Sequence, residues 1–146
     1  MAAPKRVLGD TIDKFWETVP PLWSMIRSQI RATARADFGI TVEQFHVLRY
    51  VRRGKESVSE LAEAKNISRS AISQAVEVLV QKGLVSRSQS EKDRRFVELT
   101  LTREGEALLD GVFSKTREWM QERMSGLSAD ELERIGQSMM ALRKML

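Results

Sequence analysis

The chain has no cysteine and a single histidine among its 146 residues. The absence of thiols excludes disulfide bonds, thiol redox sensing and most zinc sites, and it is compatible with a reducing compartment. The chain also lacks a phosphate-binding glycine loop and any pair of carboxylates at a spacing typical of acid–base catalysis. We therefore expect no enzyme, no metal and no cofactor.

Long apolar runs are also missing. No segment approaches the roughly 20 consecutive apolar residues of a membrane span. The stretch from Met1 to Arg6 is charged but has no apolar run behind it, so it is not a typical signal peptide. Length and apolar content are those of a single domain with its own core, and we expect a cytoplasmic protein.

Positive charge is concentrated in the middle of the chain. The formal net charge is +4. Residues 44–102 contain 11 lysines and arginines against 7 aspartates and glutamates, whereas the remainder contains 13 of each. Such a basic segment is typical of nucleic-acid binding, because phosphate contacts supply most non-specific affinity. A membrane surface would also attract it, but no basic amphipathic helix stands out.

The segment from Ser57 to Thr102 has the element order of a winged helix-turn-helix. Ser59 is expected to cap a short helix over 60–65, Asn66 tolerates a left-handed turn, and Ser68 caps a second helix. In that second helix, over 69–82, apolar residues recur on one face until Gly83 ends it. The opposite face carries small or donor-rich side chains, namely Arg69, Ser70, Ser73, Gln74 and Glu77. These side chains can enter the major groove of duplex DNA.

A β-hairpin is predicted to follow, with strands over 84–87 and 97–101. The loop between the strands contains Lys92, Arg94 and Arg95. A solvated charge run is the ordinary explanation of such a loop, but its place after a capped helix favours DNA contact. A protruding arginine suits the narrow minor groove of A·T-rich DNA. Asp93 is expected to pair with a neighbouring arginine and to hold the loop in shape.

Helices are predicted on both sides of this unit. The pair Pro20 and Pro21 predicts a break in the first helical segment, over 10–37, with a new helix running from Pro21 to Gly39. A shorter helix over 43–53 follows. Its candidate buried residues are Phe45, Val47, Leu48 and Val51.

After the hairpin, Thr102 is expected to cap a long helix that ends at a turn over 125–126. Ser128 and Glu131 have capping-box spacing, and the last helix repeats apolar residues at steps of three and four. These are Leu132, Ile135, Met139, Leu142 and Leu146. Such a seam needs a partner helix, either within the chain or in a second copy. We favour a two-fold homodimer, because it would bind two DNA half-sites.

Together these residues resemble the multiple-antibiotic-resistance regulator (MarR) family of bacterial transcription factors. The resemblance covers residues 40 to about 109. It rests on Gly39-Ile40-Thr41, Gln44-Phe45, Val47-Leu48, Ser59-Glu60-Leu61-Ala62, Ile67-Ser68, Leu79-Val80, Lys82-Gly83-Leu84-Val85, Asp93, Arg95, Leu101-Thr102 and Gly105. It implies a mainly α fold with a small β-hairpin wing, organised as an N-terminal dimerisation part (1–40), a DNA-binding part (41–102) and a C-terminal dimerisation part (103–146).

The resemblance further implies a homodimer with interleaved terminal helices on a pseudo-palindromic operator, acting as a repressor that a small aromatic or amphipathic effector releases. Arg95 is the residue expected in the minor groove, with Asp93 as its brace. The expected DNA-binding residues are Ser59, Ser68, Arg69, Ser70, Ser73, Gln74, Arg87, Lys92, Asp93, Arg94 and Arg95. The candidate effector-binding residues are Trp23, Arg27, His46 and Tyr50, although each is also of a type that often only packs.

Two features depart from the family pattern, and three alternatives stay open. Asn66 stands where many relatives have glycine, and the absence of cysteine excludes the branch that senses peroxide through a thiol. The alternatives are a sequence-neutral architectural DNA-binding protein, a winged domain that binds only proteins, and an enzyme.

Overall fold

The computed structural model describes residues 4–54, 58–91, 93–95 and 97–146, apart from the side chain of Ala64. The elements are α1 (Lys5–Phe38), α2 (Val42–Arg52), α3 (Val58–Lys65), α4 (Arg69–Gln81), β1 (Val85–Gln89), β2 (Val97–Leu101), α5 (Arg103–Met124) and α6 (Ala129–Leu142), followed by a 3₁₀ turn over Arg143–Met145. The fold is mainly α with a two-stranded hairpin, as predicted.

The hydrophobic core lies where α2, α3 and α4 meet, and it continues beneath the C-terminal half of α1 and the first turns of α5. All four residues predicted to be buried on α2 lie in this core. Its fully buried large side chains include Ile40, Leu48, Ile72, Leu79 and Leu109. The helix-turn-helix is therefore built on the same core as the long flanking helices.

The predicted side-chain caps at Ser68, Thr102 and Ser128 are present, and Thr41 is a further cap that was not predicted. The hydroxyl oxygens of Ser68 and Thr102 accept hydrogen bonds from the N–H groups of Ala71 and Gly105, at 3.1 and 3.0 Å. Thr41 at α2 and Ser128 at α6 each form a complete capping box. These starts are fixed by local sequence.

The turns on either side of α4 also match the prediction. Asn66 has a φ of 51°, so it occupies the left-handed position before the helix. Gly83, with a φ of 70°, ends α4, and the Leu84 N–H donates to the Leu79 carbonyl at 2.9 Å. This 6→1 bond with a left-handed glycine is a Schellman motif.

The hairpin is antiparallel, and Val85 pairs with Leu101 while Gln89 pairs with Val97. The loop therefore begins two residues later than predicted, because Ser88 and Gln89 belong to β1. Ser88 and Gln89 are polar, so they did not show the alternation of apolar and polar residues from which a strand is predicted. The tip of an exposed hairpin has no buried face and therefore does not need that alternation.

The predicted break at the proline pair is wrong, because α1 runs through both prolines. Pro20 and Pro21 have no N–H group, so the carbonyls of Trp16 and Glu17 lose their helical partners. All four residues are exposed. Water can bind the freed carbonyls on these turns, which lowers the cost of continuing the helix.

Two other boundaries differ from prediction. The helix α3 begins at Val58, so Ser59 lies in its first turn and is not the cap. Serines at 57 and 59 both satisfy the cap pattern, and Ser57 lies outside the described residues. At the other end, α6 stops at Leu142, so Leu146 is not part of its seam.

Candidate nucleic-acid interface

One face of α4 is anchored in the core and the other is open. Ile72, Val76 and Leu79 are buried. All five residues predicted for the opposite face are exposed. Ser70, Ser73 and Gln74 are neutral hydrogen-bond donors and acceptors, Arg69 is a cation and Glu77 is an anion. This open face can hydrogen-bond base edges and phosphates.

The C-terminal end of α4 is tied to both flanking helices. Lys82 Nζ donates to the carbonyl of Gly39, the C-cap of α1, at 3.0 Å. The Thr102 hydroxyl caps α5 and also donates to the Gly83 carbonyl at 2.6 Å. A Cβ added to Gly105 would lie 2.1 Å from the Leu84 carbonyl oxygen, so α5 approaches the end of α4 at a distance that only glycine permits.

The wing loop brings Asp93 and Arg95 together. Arg95 Nη2 donates to Asp93 Oδ2 at 2.8 Å, and Nε and the backbone N–H of Arg95 donate to Oδ1 at 3.1 and 3.0 Å. These bonds, first from the side chain and then from the backbone, lower the pKa of Asp93. The Arg95 side chain is still 86% exposed. The predicted pairing of Asp93 with a neighbouring arginine is confirmed, and Arg95 is both held and accessible.

The remaining predicted contact residues are distributed unevenly. Ser68 and Arg94 are exposed, whereas Ser59 is half-buried in α3. Lys92 lies outside the described residues. Arg87 is exposed on β1, but its Nη1 lies 2.9 Å from Glu77 Oε2 on α4. Sequence reasoning missed this pair, because Glu77 and Arg87 lie on different elements with no periodic relation.

A cleft of about 320 Å³ opens between α1, α2 and the end of α3. That volume is at the lower end of the range of small-molecule sites. The cleft is lined by Trp23, Arg27, Ile30, Arg31, Phe45, His46, Arg49, Arg53 and Lys65. These described lining residues include five cationic side chains and no carboxylate.

The cations influence one another. Burial, followed by the charges of Arg49, Arg27 and Arg53, lowers the pKa of Lys65. Burial, followed by the charges of Lys65 and Arg49, lowers the pKa of His46 below 6.5. His46 Nδ1 is buried, and none of the described residues forms a hydrogen bond with it. An anion in the cleft would relieve this accumulation of positive charge.

Three of the four predicted effector residues line this cleft, and Tyr50 does not. Tyr50 packs against the core on the side of Glu60 and Glu63, whose charges add to burial in raising its pKa. The sequence analysis missed Arg31, Arg49, Arg53 and Lys65. The four-residue spacing of Arg27 with Arg31 and of Arg49 with Arg53 marks two basic helix faces and was the available signal.

Within the described ranges, no group of three histidine, aspartate or glutamate side chains is placed to hold a metal ion. Among the described helices, none has the length and apolar character needed to cross a membrane.

Known proteins with similar sequences are transcriptional regulators by name. The MarR family profile matches residues 38–95. The chain is 34% identical over 95 residues to the HTH-type transcriptional repressor MdtR of Bacillus subtilis, a match that spans 64% of this chain and 61% of MdtR, less than two thirds of that protein's length. It is 32% identical over 100 residues to the HTH-type transcriptional regulator BilQ of Clostridium symbiosum, spanning 66% of this chain and 68% of BilQ.

Solved structures share the fold over nearly the whole chain. The transcriptional regulator Tm0710 of Thermotoga maritima has a TM-score of 0.81 at 24% identity, covering 91% of this chain and 94% of its own. A mutant of S. aureus MepR bound to an oligodeoxyribonucleotide has a TM-score of 0.63 at 25% identity. This match covers 88% of this chain and 97% of the MepR chain. The sequence matches and the shared architecture together establish that this chain belongs to the MarR family.

Proposed function

We propose that the protein is a sequence-specific DNA-binding transcriptional regulator that acts as a repressor. The observation that carries this proposal is the open face of α4 beside a wing whose exposed Arg95 is held by Asp93. In this arrangement α4 enters the major groove and Arg95 enters the adjacent minor groove. The names of the relatives and the nucleotide-bound MepR structure support the same function.

The terminal helices α1, α5 and α6 would form the dimerisation parts, over 1–40 and 103–146. The helix α6 buries none of its residues in its own chain, although it carries an apolar seam. Exposed apolar side chains also follow the N-terminal half of α1, among them Val7, Leu8, Ile12 and Trp16. A second copy that covers both faces would give a two-fold dimer on a pseudo-palindromic operator.

The wing variant Arg95→Ala tests the DNA-binding proposal. It removes one cation at the minor groove, so we expect roughly tenfold weaker binding to duplex DNA at physiological salt and a shallower salt dependence, by about one unit of slope. The midpoint of thermal unfolding should change little, because an exposed ion pair contributes little to stability. Fluorescence anisotropy with a labelled duplex measures the affinity.

The control variant is Arg6→Ala, which removes the same charge from an exposed site at the start of α1. Its affinity should match that of the unmodified protein. Equal affinity for Arg95→Ala would exclude Arg95 from the interface.

We also propose that a small aromatic acid binds the cationic cleft and releases the protein from DNA. Trp23 and Phe45 offer apolar rings, and the five cations offer partners for a carboxylate. The cleft lies between α1, which belongs to the dimerisation part, and α2, which belongs to the DNA-binding part. A bound acid would therefore change the position of the DNA-binding part relative to the dimerisation helices.

The single histidine provides a direct test with benzoate as the probe. In the free protein the NMR titration of His46 should give a pKa below 6.5. Bound benzoate adds a negative charge nearby and should raise that pKa, and Arg27→Ala should reduce the change. A pKa that does not respond to saturating benzoate would contradict an aromatic-acid site here.

A further inference from the structure

Glu77 is the one acidic residue on the exposed face of α4. It lies seven residues after Ser70 and four after Ser73, so it continues the same exposed face toward the wing. A carboxylate on this face repels phosphates and, among base edges, can accept only from the amino groups of cytosine and adenine. Its presence needs a reason, and stability is a weak one, because exposed ion pairs contribute little.

Arg87 is directed at this carboxylate by the hairpin. In the register of the strands Arg87 lies opposite Leu99, which is buried, and directly opposed residues share one face of a hairpin. The Arg87 side chain therefore leaves β1 on the side that faces the helices. There Nη1 donates to Glu77 Oε2 at 2.9 Å, with the two side chains 40% and 51% exposed.

We propose that Glu77 is a specificity-determining residue that holds Arg87 away from the DNA backbone. This inference rests on the proposed function. While the pair is closed, Arg87 adds no net positive charge to the interface, so random DNA gains no phosphate contact from it. The recognition helix then relies on base contacts from Ser73 and Gln74 for its affinity, and the operator is favoured over bulk DNA.

The test compares four proteins on a random duplex of fixed length over a range of salt concentrations. These are the unmodified chain, Glu77→Gln, Glu77→Gln with Arg87→Ala, and Glu98→Gln. One released arginine should steepen the slope of log affinity against log salt by about 0.9. Between about 1 M and about 0.15 M salt the affinity of the variant should therefore increase about fivefold more than that of the unmodified chain. We expect this change in Glu77→Gln and its loss in the double variant.

Glu98→Gln is the matched control. It removes the same charge from the neighbouring strand, and within the described residues Glu98 has no ion pair whose loss would free an arginine. Its slope should stay within about 0.3 of the unmodified value. Affinity for a duplex selected by the protein should rise less in Glu77→Gln than affinity for random duplex, so the preference between them should fall.

An unchanged slope in Glu77→Gln would overturn the inference, as would an equal change in Glu98→Gln, which would reduce the effect to general charge. The unmodified protein tests the proposed function separately. If it shows no salt-dependent binding to either duplex, the regulator function fails before any variant is compared.

Discussion

At the scale of single residues, two ion pairs shape the candidate interface, one between Asp93 and Arg95 and one between Glu77 and Arg87. Asp93 and Arg95 are two residues apart, and their pairing follows from a sequence motif. Glu77 and Arg87 are ten residues apart on different elements, so only the folded hairpin brings them within 2.9 Å. The first pair could therefore be predicted from the sequence, and the second could not.

His46 predicts how stability depends on pH. Its pKa in the folded chain lies below the 6.5 of an unfolded histidine, because of burial and then the charges of Lys65 and Arg49. Between these two values the unfolded chain binds more protons, so the contribution of His46 is complete above pH 6.5 and is lost as the pH falls toward the folded value.

Urea unfolding between pH 7.5 and 5 measures this loss, and His46→Gln should flatten the curve in that window. Asp93 and Glu131, whose pKa values are lowered, should contribute a separate loss only below about pH 4.5. A curve between pH 7.5 and 5 that is identical in both proteins would contradict the role of His46.

At the scale of elements, the start of α5 fixes the position of the end of α4. Gly105→Ala would place a methyl group against the Leu84 carbonyl, a backbone atom that cannot move without shifting β1 or the end of α4. We expect a loss of about 2–3 kcal/mol in the free energy of unfolding, since overpacking exceeds the gain in helix propensity. Chemical denaturation measures it.

Gly111→Ala is the comparison within the same helix. Its methyl group would meet the end of the Phe38 ring at 2.7 Å, and this side chain can rotate away. The cost should be about 1 kcal/mol or less. Equal costs for the two variants would show that the approach of α5 to Leu84 is not fixed by backbone.

Helix starts were predictable where a cap residue was unique, as at Ser68, Thr102 and Ser128, and the Schellman turn at Gly83 followed from its glycine. The continuity of α1 through two prolines was not predictable, because it depends on solvent replacing lost hydrogen bonds. The cleft was predicted only in part, since its cations come from three helices whose packing no local pattern reveals.

At the scale of the whole molecule, the exposed seam of α6 predicts the oligomeric state. Ile135 and Leu132 are 37% and 39% exposed, and none of the residues of α6 is buried. Ile135→Glu should place a charge in the dimer interface and shift the protein toward monomer in sedimentation analysis. The winged unit should stay folded, because its core lies elsewhere.

Gln137→Glu introduces the same charge on the other side of α6 and should remain dimeric. If Ile135→Glu also sediments as a dimer, this seam is not the interface and the terminal helices must associate differently.

We infer that this chain recognises a particular DNA sequence through α4 and the wing. Selection from a pool of random duplexes by the purified protein, read by sequencing at physiological salt, tests this inference. We predict an inverted repeat with half-sites about one helical turn apart, preferred about a thousandfold or more over random DNA. Salt-sensitive binding without any recovered motif would contradict this claim and would instead indicate a sequence-neutral architectural protein.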